Sequence, residues 1–149
     1  MSGGTVSHSR VSFLLQRTLD QVFNKKPCRA FNSDMALRIQ NATQETIYFP
    51  DAMVKCGEID STKRYIESPA IVAEVLSPST LGTDRVRKFN DYLKIKDLKS
   101  YLVVRPDRSE IECWKIENGE PIVRIFGEGE IVEIDTEIRF PLNAVYDDV

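Results

Sequence analysis

Glu74 stands inside Ile71-Val72-Ala73-Glu74-Val75-Leu76, a run that is otherwise wholly apolar. Such a run reads as a strand buried on both faces, and a lone carboxylate there costs several kcal/mol unless something compensates it. Three arrangements would do so: an ion pair within the core with a cation such as Arg38 or Lys88, protonation of the carboxyl, or coordination of a metal ion at a cleft. Asp51 follows Pro50 in a second apolar stretch, Tyr48 to Val54, and the proline restricts its approach. Two carboxylates on neighbouring strands can hold a hard divalent cation such as magnesium, which takes oxygen ligands and keeps several waters. Those waters supply a nucleophile, and the ion stabilises charge on a phosphate.

Nuclease chemistry also wants a lysine near the attacking water, with a lowered pKa or simply steadying the transition state. Two residues beyond Glu74 the chain has Leu76, which is inert. The nearest suitable lysine is Lys88, in a helical pattern from Asp84 to about Leu93. Asp84, Lys88 and Tyr92, four apart, share one helix face, positioned to return over the end of the Glu74 strand. The alternative for Lys88 is an ordinary solvated helix residue.

The strings FPDAMVKCGE, PAIVAEVLSPST, DRVRKFNDYLKIKDLKSYLVV and FPLNAVYDDV closely resemble the Uma-two family of restriction endonucleases, part of the PD-(D/E)XK nuclease superfamily, over nearly the whole chain. The resemblance implies an α/β fold with a restriction-endonuclease-like mixed β-sheet core flanked by helices, as a single domain over residues 1–149. It implies a metal-dependent endonuclease that hydrolyses DNA phosphodiester bonds with Mg2+ (or Mn2+). Asp51 and Glu74 would match the motif acids as metal ligands, with the backbone carbonyl of Val75 as a further ligand. Lys88 would match a catalytic lysine moved from strand to helix, with Tyr92 and Asp84 lining the same pocket and orienting it. His8 and Asp34 match positions that recur in the family without a role that mechanism assigns. There are two departures. The superfamily's strand lysine is absent. Family members also usually carry an earlier segment, with a Tyr-Glu and an Asp-Gly pair, ahead of the point where this chain starts; the superfamily often draws an extra acidic ligand from that region. A catalytically inactive module that keeps the fold and binds nucleic acid or a protein is the alternative. A homodimer suits cleavage of both strands of a duplex.

The elements that must position these residues are legible in outline. Val6, Val11, Leu14, Leu15, Leu19, Val22 and Phe23 recur at helical spacing, with Ser7 or Ser9 as cap, Lys25 and Lys26 at the C-terminal end and Pro27 as the stop. CRAFNSDMALRIQ reads as two short strands around Asn32-Ser33, and Gly57 to Ser68 as a loop. Ser77-Pro78-Ser79-Thr80 is a break that can start a helix. The helix after it carries Val86, Phe89, Tyr92 and Leu93 on its apolar side. Tyr101-Leu102-Val103-Val104 is a second fully apolar strand, so the Glu74 strand, helix and this strand form a βαβ unit. Ile111 to Ile116, Ile122 to Phe126 and Ile131 to Ile134 alternate as a meander, with Asn118-Gly119 as a hairpin turn. Residues 141–146 read as a last short helix.

Composition excludes several classes. The chain has 149 residues, 42% hydrophobic and 29% charged, with a net charge of −3. A whole-molecule basic field is therefore absent, and nucleic-acid binding needs a local patch. Arg85, Arg87, Lys88, Lys94, Lys96 and Lys99 form the candidate patch, although interleaved aspartates fit a solvated face equally well. The acidic run Glu128, Glu130, Glu133, Asp135 and Glu137 reads as the exposed side of a strand pair, and Trp114 as core or interface. Three cysteines and one histidine build no zinc pattern, so Cys28, Cys56 and Cys113 read as reduced thiols of a cytoplasmic protein. No apolar run approaches a membrane span. Ser77 and Ser79 lack a histidine and acid arranged for nucleophilic attack, and no glycine-rich nucleotide-binding motif occurs.

Overall fold

The computed structural model describes residues 4–24, 27–77 and 82–146. Helix α1 spans Val6–Val22, and Val11, Leu14, Leu15 and Leu19 form its buried stripe. Its cap is Thr5, whose hydroxyl accepts the His8 backbone N–H at 3.0 Å, and not Ser7 or Ser9. Val6 is exposed, because at 3.6 residues per turn it falls across the helix from that stripe. Lys25 and Lys26 lie outside the described residues.

The main sheet has six strands in the order β1-β4-β6-β7-β8-β9. They are β1 (Cys28–Asn32), β4 (Ala52–Cys56), β6 (Ile71–Val75), β7 (Ser100–Val104), β8 (Glu110–Glu117) and β9 (Glu120–Gly127). β6 and β7 pair in parallel and are buried at every position. Helix α2 (Thr83–Leu93) connects them, as the two continuous apolar runs require. The other pairings in this sheet are antiparallel, so the sheet is mixed. The break predicted ahead of α2 falls mostly on residues 78–81, outside the described residues, as does Ser79. A smaller sheet runs β3-β2-β5, from β2 (Ala36–Gln40), β3 (Glu45–Tyr48) and β5 (Tyr65–Ile66), the last lying within the expected loop.

Two cores lie on opposite faces of the main sheet. Ile71, Ala73 and Val75 of β6 join Val11, Leu15 and Leu19 of α1, together with Val145 of the short helix α3 (Asn143–Tyr146). Val72 and Leu76 join Tyr92, Tyr101 and, from the small sheet, Leu37 and Tyr48. Strand alternation therefore turns Glu74 toward α2.

Three further expectations are corrected. The meander ends at β9: β10 (Ile131–Glu133) pairs with β11 (Arg139–Pro141) in a separate ribbon, whose Val132, Ile134, Ile138 and Phe140 fill the α1-side core. Val86 is exposed, because polar anchors set the inward face of α2 at Arg85, Lys88, Phe89 and Tyr92, about a quarter-turn away. Cys28 and Cys56 are not separate thiols but a disulfide, since the β1–β4 register puts them directly opposite with Cα atoms 3.9 Å apart; Cys113 is free and buried. No helix among the described residues is long and apolar enough to cross a membrane.

Candidate active site

Glu74 is 5% exposed. Tyr92, fully buried on α2, donates its hydroxyl to Glu74 Oε1 at 2.8 Å. Lys88, one turn earlier, places Nζ 3.8 Å from the same oxygen and 3.6 Å from Asp84 Oδ2. It also lies 5.9 Å from the Tyr48 ring centroid, and the Tyr48 hydroxyl donates to Asp91 Oδ2 at 2.6 Å, tying β3 to α2. Burial pushes the Glu74 carboxyl up to about 8; Lys88 opposes this and the neighbouring Asp51 adds to it. The Tyr92 hydroxyl is raised far above its ordinary range by burial and by the Glu74 charge.

Asp51 enters from the β3–β4 turn, just ahead of the Ala52↔Ala73 register pair. Its Oδ2 accepts the Val75 N–H at 2.8 Å, and its main-chain oxygen accepts Gln16 Nε2 at 3.0 Å. The carboxyl is also within hydrogen-bonding reach of Glu74. His8 Nε2 lies 3.1 Å from the Val75 carbonyl oxygen and 3.7 Å from Asp51 Oδ2. Asp51, Glu74, Lys88, Tyr92, Asp84 and the Val75 main chain are thus brought together. Tyr92 engages the glutamate and not the lysine, because its one hydroxyl proton goes to the buried carboxylate; Asp84 alone of the two expected partners reaches Lys88. Asp34 sits in the exposed β1–β2 turn, where its N–H bonds Asn32 Oδ1. Arg38 does not serve Glu74: it pairs with Glu45 at 2.7 Å. The proposed basic patch is divided, with Arg85 on Glu112, Arg87 on Asp84 and Lys99 on Asp135.

Of the α1 contribution the sequence singles out His8, a candidate general base at a position that recurs in the family, but neither Ser12 nor Gln16. His8, Ser12 and Gln16 recur every four residues as a polar stripe beside the apolar one, and that periodicity was the available signal. His8 and Gln16 touch the site, while the buried Ser12 hydroxyl between them has no hydrogen-bond partner among the described residues.

Glu112 is a second buried carboxylate on the same face. The register runs Glu74↔Val103↔Glu112 across three strands. Arg85 at 3.1 Å, Arg105 at 3.3 Å and Trp114 Nε1 at 2.9 Å all serve Glu112. Trp114 is only partly buried and packs edge-on against Phe89. Glu112 is a saturated ion pair. Glu74, by contrast, shares one lysine with Asp84 and faces Asp51. Asp51, Glu74 and Asp84 thus outnumber Lys88 and Arg87, the lysine and arginine that pair with them, at the end of β6.

That donor set, two carboxylates and the Val75 carbonyl, matches a hard divalent cation in chemical type, and the orphaned Ser12 hydroxyl nearby suits a bound water. Among the described residues, no three His, Cys, Asp or Glu side chains are gathered closely enough to hold an ion by themselves, so a main-chain oxygen would have to contribute.

Known proteins agree with this architecture. A crystal structure from Anabaena variabilis, described as a "putative nuclease belonging to DUF820", superposes with a TM-score of 0.71 at 19% identity, covering 98% of this chain and 82% of that one. The match places this chain in the same restriction-endonuclease-like α/β fold. Two uncharacterised proteins of Synechocystis sp. are similar in sequence. One is 31% identical over 125 residues, covering 82% of this chain and 67% of the relative. The other is 30% identical over 149 residues, covering 98% and 77%. The model of the family Uma2, described as "Putative restriction endonuclease", matches residues 1–143, and the chain belongs to that family.

Proposed function

We propose that this chain is a metal-dependent endonuclease that hydrolyses DNA phosphodiester bonds at the Asp51–Glu74 site. One observation carries the reading. Of two buried carboxylates on one face of the sheet, Glu112 is neutralised by two arginines, whereas Glu74 is left facing Asp51 with a lysine shared by Asp84. A structural role would favour saturation; a site that binds a cation needs the surplus.

Asp51, Glu74 and the Val75 carbonyl would hold Mg2+ or Mn2+. When bound, the ion supplies an activated water and charge stabilisation at phosphate. The chain's own residues do the rest. The Val75 N–H fixes the Asp51 carboxylate, and Tyr92 fixes the glutamate. Asp84 draws Lys88 toward Glu74, where its ammonium can steady charge developing on a phosphate. Two copies related by a two-fold axis would serve both strands of a duplex.

The test is calorimetric titration with Mg2+ and Mn2+ alongside nicking of supercoiled plasmid. Wild type binds metal and nicks, and Glu74→Gln does neither. Metal binding that ignores Glu74→Gln overturns the metal assignment. DNA retention without nicking at saturating metal favours the inactive binding module.

A further inference from the structure

His8 is the chain's one histidine. It lies in the first turns of α1, and its ring meets the site instead of solvent alone, with a side chain 20% exposed. The Val75 carbonyl oxygen is 3.1 Å from Nε2 and Asp51 Oδ2 is 3.7 Å away. A carbonyl, a carboxylate and an imidazole are chemically unlike, but each can direct a lone pair at one ion. Neighbouring ligands on an octahedral ion with bonds of about 2.1 Å stand about 3.0 Å apart. The His8–Val75 separation already has that value, and the Asp51 oxygen lies a little beyond it.

The helix is fixed for this purpose at a second point. Gln16, two turns after His8, donates to the main-chain oxygen of Asp51 itself. The depth and rotation of α1 are therefore referenced to the aspartate. Ser12 lies between the two on the same stripe, its buried hydroxyl without a hydrogen-bond partner among the described residues. An unsatisfied buried hydroxyl is rare and costs stability; a water carried by a bound ion would satisfy it.

We propose that His8 is a side-chain ligand of the Asp51–Glu74 site, and that the site consequently takes a transition ion of the Mn2+ class in preference to Mg2+. The inference rests on the metal reading above and adds to it the identity of the ion. Oxygen-only sites suit Mg2+, Ca2+ and Mn2+ alike; an imidazole nitrogen favours first-row transition ions, Mn2+ the least strongly held among them, over the alkaline-earth ions. The residue responsible is on α1, far in sequence from both acids.

The experiment uses the untagged full chain with Mn2+ as the probe. Pulsed electron paramagnetic resonance of the bound ion should show coupling to an imidazole nitrogen, which only His8 can supply. His8→Gln keeps a hydrogen-bond donor for the Val75 carbonyl; it should abolish the coupling and weaken Mn2+ binding by about 10–100-fold or more, while Mg2+ affinity changes by less. Mn2+ bound to wild type without nitrogen coupling overturns the His8 assignment and leaves the carboxylate site standing. If neither ion binds wild type, or if Asp51→Asn leaves Mn2+ binding intact, the underlying metal reading falls and this inference with it. The wild-type spectrum decides the ligand question even if a variant fails to fold.

Discussion

Replacing Glu74 with glutamine tests the electrostatics of the site without any substrate. In metal-free protein the carboxyl is pushed up to about 8, with burial the dominant cause. The unfolded chain releases that proton near the ordinary value of about 4.3. Between these values the folded state holds a proton that the unfolded state does not. Stability from this group is thus fully present below the unfolded pKa and is lost as pH rises through the folded one. The slope approaches 1.4 kcal/mol per pH unit. From pH 5.5 to 7.5 wild type should therefore lose on the order of 2–3 kcal/mol. For a chain of this size that corresponds to a melting temperature lower by roughly 5–10 °C. Glu74→Gln has no proton to lose. Tyr92 can still donate to the amide oxygen, and Lys88 keeps Asp84 at 3.6 Å. The variant should be nearly flat over this window and more stable than wild type at pH 8.5. Chemical denaturation of both proteins in chelator, at half-unit pH steps, measures the difference. Parallel curves would refute the buried, under-compensated carboxylate and everything built on it.

Lys88→Ala should bind Mn2+ about as wild type does yet nick plasmid at least about 100-fold more slowly; equal rates would remove the lysine from the chemistry. Glu112→Ala strands Arg85, Arg105 and the Trp114 N–H without their acceptor and should cost about 2–3 kcal/mol by urea denaturation, the partial exposure of both arginines holding it there. A loss under 1 kcal/mol would show that the cluster does not anchor α2. Alkylation of the denatured, unreduced chain should label Cys113 alone, and all three cysteines after reduction; three labels without reduction would contradict the Cys28–Cys56 bond.

Much of the site's local setting follows from sequence, because burial and periodicity are local properties. A short run that is apolar at every place but Glu74 reads as an interior strand, and Asp84, Lys88 and Tyr92 share a face on any helix. The separate ribbon β10–β11 is not legible in sequence, because alternation gives an element's type and not its partner. Val86 faces outward although its spacing fits the apolar side, because α2 is rotated by its polar anchors and not by its apolar residues alone.

What no window of residues contains is which faces meet. Tertiary pairing alone puts Asp51 beside Val75, through the β4–β6 register. The α1 packing brings His8 to a carbonyl 67 residues away. The pairing of β1 with β4 sets Cys28 opposite Cys56. Each contact depends on long-range closure of the chain, with free energy summed over a whole sheet and two cores, so the residue types of the candidate site are visible in one dimension while their common centre exists only in three.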